Sequence, residues 1–314
     1  PIGALTCVTG VSGAGKSTLV MEVIFNGVTQ RLSRRRKKIG ATAQITGWQH
    51  FDRVIGIDQS PIGRSPRSNP ATYVGLYDHL RELFAQLPEA RVRGYKAERF
   101  SFNVSGGRCE ACAGDGVVRV DMQFLPELFV ICEACRGRRY NRETLAVKYK
   151  GLSIADMLDL SVDQALERLN SVAPIHDRLR TLRHVGLGYL RLGQSAATLS
   201  GGEAQRVKLA RELARKSTGK SLYVLDEPTT GLHFDDVKKL LDLLDRLVEQ
   251  GNTMIIVEHN LDVIKCADYI LDLGPQGGVN GGRLIAAGPP ETIANVAESA
   301  TGSYLKAVLG RALV

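Results

Sequence analysis

Gly10-Val11-Ser12-Gly13-Ala14-Gly15-Lys16-Ser17-Thr18 fits the pattern G-x-x-x-x-G-K-[ST] in full, and its flanks are the ones that the pattern requires. Before it, Leu5-Thr6-Cys7-Val8-Thr9 reads as a buried strand; after it, Leu19 to Phe25 reads as a helix. A strand that turns through glycines into a helix gathers backbone N–H groups around one point, where the helix N-terminus adds partial positive charge. Gly10, Ser12, Gly13, Gly15 and Thr18 therefore form a phosphate cradle. Lys16 reaches the β- and γ-phosphates of a nucleotide such as ATP, and the Ser17 hydroxyl is a ligand for Mg²⁺. The stretch predicts an α/β fold built around a nucleotide site.

Three further predicted strands end in residues suited to that site. Arg53-Val54-Ile55-Gly56-Ile57-Asp58 is followed by Gln59, an amide placed to touch Mg²⁺ or an attacking water. Ser221-Leu222-Tyr223-Val224-Leu225 runs into Asp226-Glu227-Pro228, where Asp226 is placed to hold Mg²⁺ through water and Glu227 to polarise the attacking water. Thr253-Met254-Ile255-Ile256-Val257 delivers Glu258-His259, and His259 reads either as a γ-phosphate sensor or as a structural histidine. Tyr269–Leu273 and Arg283–Ala287 complete the predicted sheet around a glycine-rich turn. Away from these, Leu199-Ser200-Gly201-Gly202-Glu203 opens a strong helix pattern, and Ser200, Gly201 and Gly202 suit phosphate binding through backbone and hydroxyl groups.

Composition narrows the class. No apolar run among the 314 residues approaches the roughly 18–20 that a membrane span needs, which predicts a soluble, cytoplasmic protein with no membrane partner. Residues 1–150 hold 23 Lys+Arg against 13 Asp+Glu, and the remainder 18 against 20, so the net charge of +8 sits in the first half and suggests a polyanion partner. Within that half, Arg31-Leu32-Ser33-Arg34-Arg35-Arg36-Lys37-Lys38 reads equally as a solvated loop or as a phosphate-contacting one. Only four residues precede the first strand, so either the adenine is held by groups other than an upstream aromatic, or the chain is a fragment.

Cys109-Glu110-Ala111-Cys112 and Cys132-Glu133-Ala134-Cys135 are two C-x-x-C knuckles with 19 residues between them, a zinc-ribbon spacing. Gly114, Gly116 and Gly137 permit the turns that face paired thiolates toward one ion. Four thiolates on Zn²⁺ make a closed structural site; disulfides are the weaker reading in a reducing compartment. Between the knuckles, Val117–Phe124 and Leu128–Ile131 read as a hairpin with Pro126 at its bend. Arg99, Arg108, Arg119, Arg136, Arg138, Arg139 and Arg142 alternate with Tyr95, Phe100, Phe102 and Tyr140, a mixture that suggests a nucleic-acid surface or a rigid spacer. Cys7 and Cys266 lie in core-like patterns and read as packing residues. From Ile154 to Leu190 the pattern is amphipathic and helical, a scaffold without chemistry.

The order phosphate loop, Gln59, Leu199-Ser200-Gly201-Gly202-Glu203, Asp226-Glu227, His259 resembles the ABC-type ATPases. Asp58 to Tyr73, Phe100 to Cys109, Tyr140 to Leu145 and Glu258 to Lys265 narrow the resemblance to the UvrA family, the damage-recognition ATPases of bacterial nucleotide excision repair, and to its C-terminal nucleotide-binding half. Ala14 is a small departure where serine is expected. The resemblance implies a P-loop ABC-type ATPase core over residues 1–60 and 218–314. It implies a largely helical signature lobe over 61–217, with a four-cysteine zinc-binding β-hairpin inserted at about 104–142. It also implies Lys16 and Ser17 as phosphate and magnesium ligands, Gln59 as the Q-loop, Asp226 as the magnesium-side acid, Glu227 as catalytic base and His259 as switch histidine. Ser200, Gly201 and Gly202 would act on the nucleotide of a second nucleotide-binding unit. The implied partners are double-stranded DNA, especially damaged, and UvrB through regions mostly absent from this chain. Two rival functions share these motifs: a related drug self-resistance protein, and a zinc-dependent DNA-binding module that does not hydrolyse ATP in isolation.

Overall fold

The computed structural model describes residues 1–33, 44–120, 128–215 and 218–310. The second half of the basic run, Arg34 to Lys38, the end of the first predicted hairpin strand, Asp121 to Phe124, and the hairpin bend at Pro126 lie outside them. The strands in chain order are β1 (Leu5–Gly10), β2 (Arg53–Ile57), β3 (Val117–Val120), β4 (Leu128–Ile131), β5 (Ser221–Asp226), β6 (Thr253–Val257), β7 (Tyr269–Gly274) and β8 (Arg283–Gly288). The chain divides into two compact units, Pro1–Gln59 with Lys216–Val314, and Ser60–Arg215.

The first unit is a six-stranded sheet in the order β2-β5-β6-β1-β7-β8, parallel except for the β7–β8 pair. Strands covered on both faces need apolar residues at nearly every position, and β1 (LTCVTG), β5 (SLYVLD) and β6 (TMIIV) have them. β1 lies between β6 and β7, with Cys7 opposite Ile256 on one side and Ile270 on the other. Chain direction from β1 therefore splits to either side, and ligands of open parallel sheets bind at such a point, beyond the strand C-termini. The amphipathic helix Phe234–Glu249 covers the sheet with Val237, Leu240, Leu244 and Leu247. The carboxylate of the buried Asp272 accepts hydrogen bonds from Thr9, Ser299 and Thr301, which fastens the helix Ala300–Leu309 to the sheet.

The helix expected after the phosphate loop is present but is not α throughout. Thr18–Phe25 winds as a π-helix before Asn26–Leu32 continues as α. Phe25 lies against β2 where a Cβ on Gly56 would come within 2.8 Å of its ring, so Gly56 leaves room for that ring between helix and strand. Wide turns of this kind relocate side chains locally, here toward the core that Val20 and Val28 share with Val8, Val224 and Val257.

The second unit is mainly helical and carries the β3–β4 hairpin. Its helices start where the sequence supplies caps: Asn69, Ser153, Ser161 and Ser200 each form a reciprocal capping box. Leu80, Phe84, Ile154, Met157, Leu179 and Leu182 are buried in it.

Two expectations fail here. Phe100, Phe102 and Tyr140 are not a stacking surface but core. Tyr77 stacks on Phe102 with ring centroids 4.6 Å apart, and its hydroxyl lies 2.7 Å from that of Tyr140 and accepts from Phe102 N. Burial pushes the Tyr77 phenol up to about 12, so it stays a neutral hydrogen-bonding group. Two of the interleaved arginines pack on rings, Arg99 over Tyr95 and Arg139 over Phe102, as internal cation–π contacts, while Arg119, Arg136 and Arg142 are exposed. Exposed apolar surface lies instead on the hairpin, at Val118, Val120, Leu128, Phe129, Val130 and Ile131. Cys266 is the second failure: it is exposed in the turn after the short helix Leu261–Ile264, whereas Cys7 is buried as expected. Among the described residues, no helix is long and apolar enough to cross a membrane.

Candidate functional site

The phosphate loop is shaped by three glycines with positive φ: Gly10 (+130°), Gly13 (+77°) and Gly15 (+87°). A Cβ on Gly10 would sit 1.9 Å from the Leu273 carbonyl oxygen, so no other residue fits beside β7. Lys16 is buried, and its ammonium donates to the carbonyls of Gly10 and Val11 at 2.9 Å each, which holds the charge inside the turn. The loop is backed by a second turn: Gly278 N donates to Gly13 O and Gly282 N to Ala14 O, both at 3.1 Å. Gly277 packs so closely that a Cβ would come within 2.5 Å of Ser12 O. Sequence reading assigned this turn no part in the site; the density of glycine over Gly277–Gly282 was its only signal.

The ends of the parallel strands bring the other candidates to the same edge of the sheet. Ser17 Oγ donates to Asp226 Oδ1 at 3.1 Å. Burial, together with the charges of Glu227 and Asp58, pushes the Asp226 carboxyl above its ordinary range against the opposing hydrogen bond from Ser17. A divalent cation offsets such a cluster of acids, and the oxygen donors fit Mg²⁺. Glu227 follows β5 with φ +47°, a left-handed backbone that is strained for a residue with a Cβ. Its Oε1 lies 3.2 Å from His259 Nε2, so the structure pairs these two candidates. Thr18 begins the π-helix, and Gln59 is exposed two residues beyond β2. Glu258 was passed over in the sequence; it is buried and accepts four hydrogen bonds, from Thr229 N and Oγ1, His259 N and Asn260 N.

In the second unit, Ser200 caps the thirteen-residue helix Gly201–Leu213. Its hydroxyl donates to Glu203 and accepts from Glu203 N, and Glu203 also accepts from Tyr189 Oη at 2.8 Å. Burial works against the Glu203 charge, but these hydrogen bonds outweigh it and hold the carboxyl below the usual range. The turn therefore presents a helix N-terminus at which Gly201 and Gly202 carry no side chains.

The four knuckle cysteines are buried and free, and their sulfur atoms all lie within 4.8 Å of one another. Cys112 and Cys135 are 3.7 Å apart. Tetrahedral Zn–S bonds of about 2.3 Å place sulfurs about 3.8 Å apart, so this pair already has the spacing of two zinc ligands. Backbone turns with positive φ at Ala113, Gly114, Gly116, Arg136, Gly137 and Arg139 shape both knuckles, and Gly116 N donates to Cys112 Sγ at 3.2 Å. Burial pushes the Cys112 thiol up to about 12, with Cys135 adding to it, whereas a backbone hydrogen bond from Cys135 leads the effects that hold Cys132 below its usual range. Arg67 ties the first knuckle to the loop before it by donating to Asp115 and to Ala113 O, and Arg139 donates to Pro66 O.

Comparison with known proteins adds four findings. A family model described as ABC transporter matches residues 117–230. The chain is 60% identical over 309 residues to UvrABC system protein A of Methanothermobacter thermautotrophicus, covering 98% of this chain and 32% of that protein. It is 59% identical over 311 residues to the protein of the same name from Bacillus subtilis, covering 99% and 32%. Among solved structures, UvrA2 from Deinococcus radiodurans superposes with a TM-score of 0.90 at 51% identity, over 98% of this chain and 37% of that one. The chain thus spans about a third of the length of the curated relatives it matches.

Proposed function

The chain belongs to the UvrA family of ABC-type ATPases, and from that premise we propose that it is an ATP-binding and ATP-hydrolysing module of DNA-damage recognition in nucleotide excision repair. It corresponds to the C-terminal nucleotide-binding half of such a protein. The observation that carries this reading is the meeting of Ser17 with Asp226 and of Glu227 with His259 beside the phosphate loop, on one edge of one sheet.

In this account the backbone of Gly10 to Thr18 and the Lys16 ammonium bind the triphosphate. Ser17 and Asp226 hold Mg²⁺, whose chemistry when bound is to neutralise charge on the phosphate oxygens. Glu227 orients the attacking water and takes its proton, His259 senses the γ-phosphate, and Gln59 contributes at the end of β2. Ser200, Gly201 and Gly202 close on the nucleotide of a second nucleotide-binding unit, either the other half of the same protein or a second copy. Cys109, Cys112, Cys132 and Cys135 hold a structural Zn²⁺ at the base of the hairpin, and this module meets damaged double-stranded DNA. UvrB docks through regions mostly absent from this chain, and the setting is the cytoplasm.

ATP turnover with and without duplex DNA tests the reading. Wild-type protein, alone or with its second unit, is expected to turn over ATP and Lys16→Ala to bind none. Turnover equal in both would remove the phosphate loop from the account.

A further inference from the structure

We propose that Glu258 is a positioning residue for hydrolysis, a buried clamp that holds the two chain segments bearing Glu227 and His259 in mutual register. The proposal rests on the roles given above to those two residues. Glu227 and His259 follow different strands, 32 residues apart in sequence, and their side chains meet at 3.2 Å. Val257 O of β6 holds the Glu227 backbone, and a side chain ties together the segments that follow the two strands. That side chain is Glu258. Its Oε1 accepts from Thr229 N at 2.9 Å and Thr229 Oγ1 at 2.6 Å, and its Oε2 accepts from His259 N at 3.0 Å and Asn260 N at 3.1 Å. One carboxylate thus fixes the turn two residues after Glu227 with one oxygen and the backbone of His259 with the other.

The need for such a clamp is written in the backbone. Glu227 has φ +47°, a conformation that persists only where its surroundings impose it. On one side Glu227 N donates to Val257 O at 2.9 Å, and on the other Thr230 N donates to Glu227 O at 3.2 Å. The anchoring of Thr229 to Glu258 closes this arrangement. Glu258 is 1% exposed, so its four donors meet it away from competing water, where charge-assisted hydrogen bonds are strongest. None of these four hydrogen bonds involves Lys16 or Ser17.

The test uses the full chain with Glu258→Gln, an isostere, and Glu258→Ala. Gln keeps one acceptor oxygen and turns an NH₂ group toward N–H donors, so it breaks one half of the clamp without opening a cavity. Amide hydrogen exchange is followed by mass spectrometry on peptides covering 228–232, 258–262 and, as internal control, 10–18. Exchange is expected to rise roughly tenfold or more in both clamped segments of Glu258→Ala, the change in opening equilibrium that loss of a charge-assisted hydrogen bond brings, with the control peptide unchanged. In Glu258→Gln the rise is concentrated in one segment. Steady-state ATP turnover is expected to lose about tenfold or more in kcat while KM stays within about threefold. A purely structural role would lower thermal stability and move KM and the control peptide with it. Unchanged exchange in Glu258→Ala beside a wild-type enzyme that turns over ATP overturns the clamp and leaves the ATPase reading standing. Coupled exchange in a wild-type protein that never hydrolyses ATP, with or without its second unit, keeps the clamp and overturns the ATPase reading.

Discussion

Replacing Glu227 by glycine separates the energetics of its backbone from the chemistry of its side chain. A non-glycine residue in the left-handed region costs about 1–2 kcal/mol, and Glu227 sits there with φ +47°. Glycine removes that strain but enlarges the conformational freedom of the unfolded chain, which offsets about 0.4–1 kcal/mol. The lost pairing with His259 adds nothing measurable, since the two side chains are 57% and 37% exposed. Glu227→Gly should therefore be as stable as wild type or up to about 1.5 kcal/mol more stable. For a unit of this size that is a rise in Tm between zero and about 6 °C. Turnover should fall by about 10²–10⁴, or roughly 3–5 kcal/mol of barrier, the usual contribution of a positioned general base. Glu227→Gln is the control: it keeps the strained backbone, so Tm stays at the wild-type value while turnover falls equally. Differential scanning calorimetry and a phosphate-release assay read both quantities. A Tm for Glu227→Gly that falls by about 3 °C or more refutes the strain argument, and turnover retained in Glu227→Gln refutes the assignment of the base.

Three other expectations follow from single features. Gly10→Ala forces a Cβ against Leu273 O at a φ that alanine avoids, so it should unfold the first unit or cost more than about 3 kcal/mol, seen as a collapse of Tm. Cys132→Ser should release zinc and raise protease susceptibility at the hairpin, and wild-type protein without about one zinc per chain by elemental analysis would end the metal reading. Burial works against the charge of Asp156, but hydrogen bonds from Ser153 and the charges of Arg138 and Lys148 outweigh it and hold its folded pKa low. Its stabilisation is thus complete above the ordinary carboxylate pKa and is lost as pH falls through the lower folded value. Asp156→Asn should cost on the order of 1 kcal/mol at pH 7, with the gap closing below about pH 4 in denaturant titrations.

Local chemistry was legible in the sequence and facing was not. The phosphate loop, Asp226-Glu227 and the paired knuckles are written in short spacings, and a glycine or cysteine at a given position has few physical uses. Strand identity was legible too, because parallel strands covered on both faces need unbroken apolar runs. Phe100, Phe102 and Tyr140 show where such reading stops: their neighbours are arginines, and the Tyr77 hydroxyl that meets the buried Tyr140 hydroxyl is brought by a distant helix. Glu258 looked like the residue before a histidine, because nothing in the chain order reveals that Thr229 lies within hydrogen-bond reach. The left-handed backbone of Glu227 has no sequence signal at all, since glutamate is not a residue chosen for positive φ. Cys266 misled in the opposite sense, its apolar neighbours turning inward while its own position on the turn faces outward.

We propose further that nucleotide state in this chain governs its grip on DNA. Fluorescence anisotropy of a labelled duplex carrying one bulky lesion, measured with Glu227→Gln protein assembled with its second nucleotide-binding unit, tests it directly. Affinity for the lesion relative to the undamaged duplex is expected to differ severalfold or more between saturating ATP with Mg²⁺ and no nucleotide, and Lys16→Ala to abolish the difference. Equal affinities in both nucleotide states, from protein that demonstrably binds ATP, would contradict it.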